Sequence, residues 1–261
     1  MKRYNIARPL GSPSEFHHPV DIIIPFHGQY EKVAALLESI YRLTRSNYVT
    51  VTLVDDCSPN EDFINTISRN VKKRTENFNA IRGVKHRGFG GAAKVGFDRT
   101  ENPYVCIMNS DCLVEDGNWL RSLGENLLSL KEQGVRMVSP VTNNIVGGHE
   151  SQYGKRSELE NSHVILEEKD DHLSMYCVLC HRELFARCGG FLQEYPYGYY
   201  EDIEFAWRMR KHSFAQAVCR SSWIRHDGMA TINGLWRKDP DIRDVMEKNN
   251  HDRCLQDIKG L

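Results

Sequence analysis

The chain has almost no net charge, no long apolar run and no internal repeat. Its 34 basic and 35 acidic side chains leave a formal charge of −1. Nonspecific nucleic-acid binders carry a clear basic excess, so this balance speaks against that class, local basic patches aside. No stretch approaches the roughly 20 consecutive apolar residues of a membrane helix. Residues 1–19 also lack the apolar centre of a secretion signal. No integral membrane segment and a cytoplasmic location are therefore expected. Zinc-module spacing is missing too. Of eight cysteines only Cys177 and Cys180 form a C-x-x-C, and no second pair completes a site. Cys106, Cys177, Cys180 and Cys219 sit in or beside apolar runs, where a reduced thiol acts as a small hydrophobe.

What remains is an ordinary globular composition, 40% hydrophobic and 26% charged in 261 residues, enough to build a core without staples. After a polar lead-in, residues 20–24 read as a strand. Val33, Leu36, Leu37, Ile40 and Leu43 then recur at helical spacing. A strand is expected over 49–54, and a helix bearing Phe63, Ile64, Ile67 and Val71 on one face follows it. The alternation continues with strands over 79–84, 104–108 and 136–139 and helices over 90–99 and 119–131. This is the βαβ pattern of an α/β fold with a mainly parallel sheet flanked by helices. Between 142 and 171 the periodicity fades into a long excursion, either a functional lid or binding loop or a surface insertion. Helical patterns return over 182–187, 201–212 and, as a polar C-terminal helix, 241–259. Ligands of such sheets bind at the carboxyl ends of the strands, which is where the unusual polar clusters lie.

Four clusters could carry chemistry. Asn109-Ser110-Asp111 ends an apolar strand in a carboxylate, a suitable ligand for a hard divalent cation. A strand-ending Asp is also a common turn residue. Glu201, Asp202 and Glu204 open a helix, a placement that the helix dipole alone would favour. Tyr199, Tyr200 and Gly198 beside them offer a stacking surface. His226 ends another apolar stretch and can ligate a metal through a neutral ring nitrogen. His86-Arg87-Gly88-Phe89-Gly90-Gly91 is a glycine-rich entry to a helix, whose backbone N–H groups can approach phosphate or sugar. It matches neither the Walker pattern nor G-x-G-x-x-G.

In order and spacing these clusters resemble family-two inverting glycosyltransferases of the GT-A (Rossmann-like) fold. Val20-Asp21-Ile22-Ile23-Ile24-Pro25-Phe26 is similar to their opening strand, and Leu53-Val54-Asp55-Asp56-Cys57-Ser58 to their second-strand motif. The segment from His86 to Ala92 is similar to their Asn-x-Gly segment. Asn109-Ser110-Asp111 resembles a variant Asp-x-Asp motif. Gly189-Gly190-Phe191 with Tyr200-Glu201-Asp202 resembles the acceptor-side segment, and His226-Asp227-Gly228 the late metal-binding histidine. The resemblance runs over residues 20–231.

It implies a nucleotide-sugar donor, with UDP expected. Asp55 and Asp56 would contact the uracil or ribose and Pro25 and Phe26 would shape that pocket. Arg87, Gly88, Asn109 and Ser110 would lie along the donor. Asp111 and His226 would bind Mn2+ or Mg2+, and Asp202 would be the general base, with Glu201 the less favoured one. It also implies an arm at 1–19, a GT-A domain at 20–235 and a C-terminal helix at 236–261. Within the domain, 20–140 would bind the nucleotide sugar and 141–235 the acceptor. The pattern departs from the family at His86, often Asn, at Lys94, where a second Asn is common, and at Asn109, often an acid. A saccharide or lipid-linked hydroxyl is the expected acceptor. A hydroxylated base in DNA is the other, with Lys2, Arg3 and Arg8 on phosphates and Tyr195, Tyr197, Tyr199, Tyr200 and Trp236 available for stacking. A nucleotidyltransferase would carry a glycine-rich basic loop after the first strand, and Pro25-Phe26-His27-Gly28-Gln29-Tyr30 lacks one. A non-catalytic nucleotide-sugar-binding module is the remaining alternative.

Overall fold

The computed structural model describes residues 16–44, 48–73, 75–191, 195–228, 239 and 241–260. Lys2, Arg3, Arg8, Trp236, Thr231 and the expected boundary at 235/236 lie outside the described residues.

The order of elements is β1 (Val20–Phe26), α1 (Tyr30–Leu43), β2 (Val49–Asp55), α2 (Glu61–Lys72), β3 (Phe78–Arg82), α3 (Gly88–Phe97), β4 (Tyr104–Met108) and β5 (Cys112–Leu113). These are followed by α4 (Trp119–Ser129), β6 (Val135–Val141), β7 (His163–Leu166), β8 (Cys177–His181), α5 (Glu183–Cys188), α6 (Glu201–Lys211), β9 (Ala215–Trp223) and β10 (Arg225–His226). At the C-terminus α7 (Asp241–Asp244) passes through a π-helical turn (Val245–Asn249) into α8 (Asn250–Gly260). Eight strands form one sheet in the order β3-β2-β1-β4-β8-β6-β9-β7. The β3-β2-β1-β4 block is parallel throughout, as the alternating pattern predicts. β8 enters antiparallel to both β4 and β6, and β7 antiparallel to β9. The fold is α/β with a mixed, mostly parallel sheet flanked by helices and a C-terminal helical segment.

β1 is buried along its whole length, the signature of a strand covered on both faces. Its one charge, Asp21, accepts hydrogen bonds from the backbone N–H and side-chain amide of Asn102 (both 2.8 Å) and pairs with Arg182 at 3.0 Å. The helix α3 lies very close to the sheet, since a Cβ on Gly96 would sit 2.5 Å from Ile23 and 3.0 Å from Val54. That approach brings the start of α3 to the carboxyl ends of β1 and β2.

The excursion over 142–171 is more ordered than its fading periodicity predicts. It holds two 3₁₀ turns and the strand β7. Four residues, His-Val-Ile-Leu, are too few to register as a periodic pattern among the charges around them. The segment is anchored by Gln152, fully buried, which donates to Ser139 Oγ (2.8 Å) and Ser174 O (3.0 Å) and accepts from Ser174 N (2.8 Å). All eight cysteines are free thiols, and all but Cys57 are buried.

Candidate active site

A cleft open to solvent runs across the carboxyl ends of β1, β2 and β4. Of the residues expected at the site, Pro25, Phe26, Asp56, Gly88, Asn109, Ser110, Asp111, Glu201, Asp202 and His226 all line it. Asp55 and Arg87 do not. Asp55 is fully buried beneath the cleft floor, where it pairs with Arg82 and accepts a hydrogen bond from Ser58 N at 2.8 Å. It braces the turn after β2 instead of presenting its carboxylate to the cleft.

At one end of the cleft Asp56 organises the glycine-rich turn. Its two carboxylate oxygens accept the backbone N–H groups of Arg87 and Gly88, each at 2.8 Å. Those N–H groups are thereby committed, and the turn does not offer them to a phosphate as its glycines suggest. Burial pushes the Asp56 carboxyl up to about 6, against the pull of these two bonds. His27 and His86 stand edge to face at 4.6 Å, and His86 lies 5.1 Å from the Tyr197 ring. Burial, then the charge of His27, lowers His86 to about 4. The 3.5 Å approach of His86 to Asp56 is therefore not an ion pair at neutral pH. Pro25, Phe26, His27, His86 and Tyr197 thus form an aromatic pocket above one carboxylate.

The middle of the cleft is built by β5 and β10. Their antiparallel pairing sets His226 opposite Cys112, which brings His226 Nε2 to 3.2 Å from Asp111 Oδ1. Asn143 holds the His226 backbone from both sides, donating to its carbonyl (3.1 Å) and accepting from its N–H (3.0 Å). The carbonyl of Asn144 is 2.9 Å from His226 Nδ1. A carbonyl can only accept, so Nδ1 carries the proton and the Nε2 lone pair faces Asp111. Two acceptors at this distance repel unless a proton or a cation lies between them, and that donor set suits a divalent metal. Cys112 is the third potential donor of the cluster. Its thiol points to the Tyr176 carbonyl at 3.3 Å, and burial holds it well above the ordinary thiol range, so Asp111 and His226 are the fitting pair. The Tyr176 ring stacks on His226 at 5.1 Å.

At the far end, α6 begins with Glu201 and Asp202. Glu201 is 7% exposed and its Oε2 has no hydrogen-bond partner. Burial first, and the Asp202 charge second, push its carboxyl up to about 8. Asp202 is half-buried and accepts from Ile203 N at 2.9 Å. It too is raised by burial, with His172 acting in the opposite sense. One proton on Glu201 and one charge on Asp202 is the arrangement that these surroundings favour.

The sequence model of glycosyl transferase family 2 matches residues 21–188. The chain belongs to this family. Among solved structures the glycosyl transferase family 2 chain is similar to GalNAc-T7, solved with UDP, GalNAc and Mn2+ (TM-score 0.66, 15% identity, 82% of this chain and 44% of that one). It is also similar to the mannosyltransferase PcManGT from Pyrobaculum calidifontis in complex with GDP-Man and Mn2+ (TM-score 0.63, 16% identity, 90% and 63%). A third is TarS 1–349 of S. aureus (TM-score 0.58, 17% identity, 84% and 64%). At these identities the likeness is one of fold, and the chain spans from 44% to 64% of the length of these three structures. No curated protein matches the sequence.

Several lining residues escape a motif-based reading: Val146, Ser174, Met175 and Tyr176. They are apolar or small, and nothing in their local sequence marks them. His27 adjoins Pro25-Phe26 and was within reach. Of the tyrosines offered for stacking, only Tyr197 and Tyr199 line the cleft. Tyr195 is buried with its hydroxyl on Asp257 (2.9 Å), and Tyr200 packs 5.3 Å from His251. Lys94 pairs with Asp98 on its own helix. No helix among the described residues is long and apolar enough to cross a membrane.

Proposed function

We propose that the chain transfers a glycosyl group from a nucleoside diphosphate sugar, with UDP as nucleotide, to the hydroxyl of a saccharide or lipid-linked acceptor. The observation that carries this reading is the opposed Asp111–His226 pair, in one cleft with an aromatic pocket at one side and the Glu201–Asp202 pair at the other. The three stations have the order of a nucleoside, a diphosphate and a sugar under attack. The matched proteins solved with UDP or GDP-Man and Mn2+ favour a nucleoside diphosphate donor held with a metal.

Phe26, His27, His86 and Tyr197 supply ring faces for the base, and Asp56 an acceptor for its N–H or for a ribose hydroxyl. Gly88, Asn109 and Ser110 border the middle of the donor. Asp111 and His226 would hold Mn2+ or Mg2+, which when bound neutralises charge on the departing diphosphate. Asp202, ionised beside a protonated Glu201, takes the proton of the acceptor hydroxyl as that oxygen bonds to the anomeric carbon. The bond from that carbon to the diphosphate breaks in the same displacement, so configuration inverts and no glycosyl-enzyme forms. Asp55 acts behind this surface by fixing the turn that carries Asp56. Arg87 contributes its backbone N–H to the same purpose.

Calorimetric titration with UDP, GDP and dTDP, first with Mn2+ and then with EDTA, tests the donor half. One nucleotide binding only with metal is the expected result, and no binding to any of them refutes it. Asp202→Asn should lower turnover by about 10²–10⁴-fold, the usual share of a general base, and leave nucleotide affinity within about threefold. Near-normal turnover in that variant removes Asp202 from the base role.

A further inference from the structure

The turn that delivers the Glu201–Asp202 pair has an unusual backbone. Tyr197, Gly198, Tyr199 and Tyr200 all have positive φ, at 66°, 115°, 73° and 70°. L side chains rarely adopt this left-handed region, and it occurs mostly as single residues. Three tyrosines in such a run persist only where the surroundings over-determine them. Tyr200 also stands at the N-cap of α6 with no side-chain cap bond, so the local sequence does not pay for the geometry.

The surroundings that fix it come from two places. On the inner side Gly88 packs against the turn so closely that a Cβ there would lie 2.8 Å from Tyr197 N and 3.1 Å from Tyr195 O. On the outer side stands α8. Ile242, Met246, Asn250 and Cys254 are its buried residues together with those of the preceding turns, a stripe at four-residue spacing. Asn250 is 2% exposed. Its side-chain amide donates to Pro196 O at 3.0 Å and to Gly198 O at 2.7 Å. Two carbonyls require two N–H donors, which an amide supplies and no carboxylate or hydroxyl of that size can. Beside it Tyr195 donates to Asp257 on the same helix.

We infer that Asn250 is a positioning residue: by holding the carbonyls of Pro196 and Gly198 it fixes the left-handed Tyr197–Tyr200 run and so aims Tyr197, Tyr199 and the start of α6 into the cleft. Its functional consequence rests on the transferase reading above, while its structural half does not. The C-terminal helix is then a working part of the site, although none of its residues lines the cleft.

The test compares the full chain, Asn250→Ala and Asn250→Ala/Tyr200→Gly. Tyr200 does not line the cleft, and glycine adopts its φ without steric cost. Amide hydrogen exchange of 196–204 should rise at least about tenfold in Asn250→Ala, with the sheet amides within about twofold of the unaltered chain. Tyr200→Gly should recover a threefold part of that rise. Hydrolysis of a UDP-hexose with Mn2+ should show kcat down about tenfold or more, a KM raised by the displaced Tyr197 face, and partial recovery of kcat in the double variant. Unchanged exchange over 196–204, a rise spread uniformly over the chain, or no recovery with glycine would each overturn the inference. If the unaltered chain hydrolyses no UDP-hexose and binds no nucleotide, the transferase reading falls, and the exchange data still decide the role of Asn250.

Discussion

Replacing Glu201 by Gln removes a buried acid while keeping its shape, and its effect on stability has a sign fixed by the surroundings. In the folded chain the Glu201 carboxyl titrates near 8, against 4.5 for the free group. Between those values the folded state holds a proton that the unfolded state has released, so stability falls as pH rises. Below about 4.5 both states are protonated and nothing is lost. Above about 8 the folded state must carry the charge, at a cost of up to about 5 kcal/mol for a shift of this size. Asp202 shares the electrostatic work, so about 2–4 kcal/mol is the expected net difference between the variant and the unaltered chain near pH 9. In thermal melts this is about 4–16 °C in favour of Glu201→Gln near pH 9, at roughly 2–4 °C per kcal/mol for a chain of this size. The two curves should converge near pH 5. An offset that stays constant from pH 5 to pH 9 would refute the reasoning, because it would mean that Glu201 titrates normally.

Asn143→Ala takes both backbone hydrogen bonds from His226 and should weaken Mn2+ binding about 10–100-fold, read by the paramagnetic signal of free Mn2+. Unaltered affinity would show that the His226 strand holds itself. Asp111→Ala should make nucleotide affinity the same in Mn2+ as in EDTA, and a surviving difference between the two would place the cation elsewhere. Asp21→Ala leaves Arg182 without its buried partner and should cost about 3–5 kcal/mol in urea denaturation, and a loss below about 1 kcal/mol would count against that pair as a structural tie.

The parallel half of the fold was legible because its signals are local. β1 to β4 alternate with helices whose apolar residues recur every three to four positions, and the apolar run 104–108 coincides with the limits of β4. The polar ends of those strands led to Asp56, Asp111 and their neighbours. Two kinds of feature were not legible. Asp55 and Asp56 are adjacent, buried acids of one motif, yet only the position of Arg82 separates the brace from the carboxylate that lines the cleft. Likewise, His86-Arg87-Gly88 looks like a phosphate cradle until the Asp56 carboxylate is seen to occupy its first N–H groups. In both places a side chain from a distant strand decides the role, and no spacing rule within the motif encodes it.

The missing members of the site have a topological cause. In a wholly parallel sheet only the carboxyl ends of strands reach the cleft, and a search of strand ends would find every contributor. Here β8 runs against β4 with Met108 opposite Cys177, so the residues that precede β8 meet the residues that follow β4. That reversal delivers Ser174, Met175 and Tyr176 to the cleft wall and lets Asn109 N donate to the Tyr176 carbonyl at 2.7 Å. It also sets the Tyr176 ring against His226, while its hydroxyl bonds Pro140 O at the end of β6. One antiparallel strand therefore links the carboxylate of Asp111, the imidazole of His226 and the entry to the 142–171 segment, whose Asn143 holds the His226 backbone and whose Asn144 carbonyl meets that imidazole. By its sequence the segment is a functional lid, a binding loop or a surface insertion. Its first residues form the support on which the His226 side of the proposed metal pair depends.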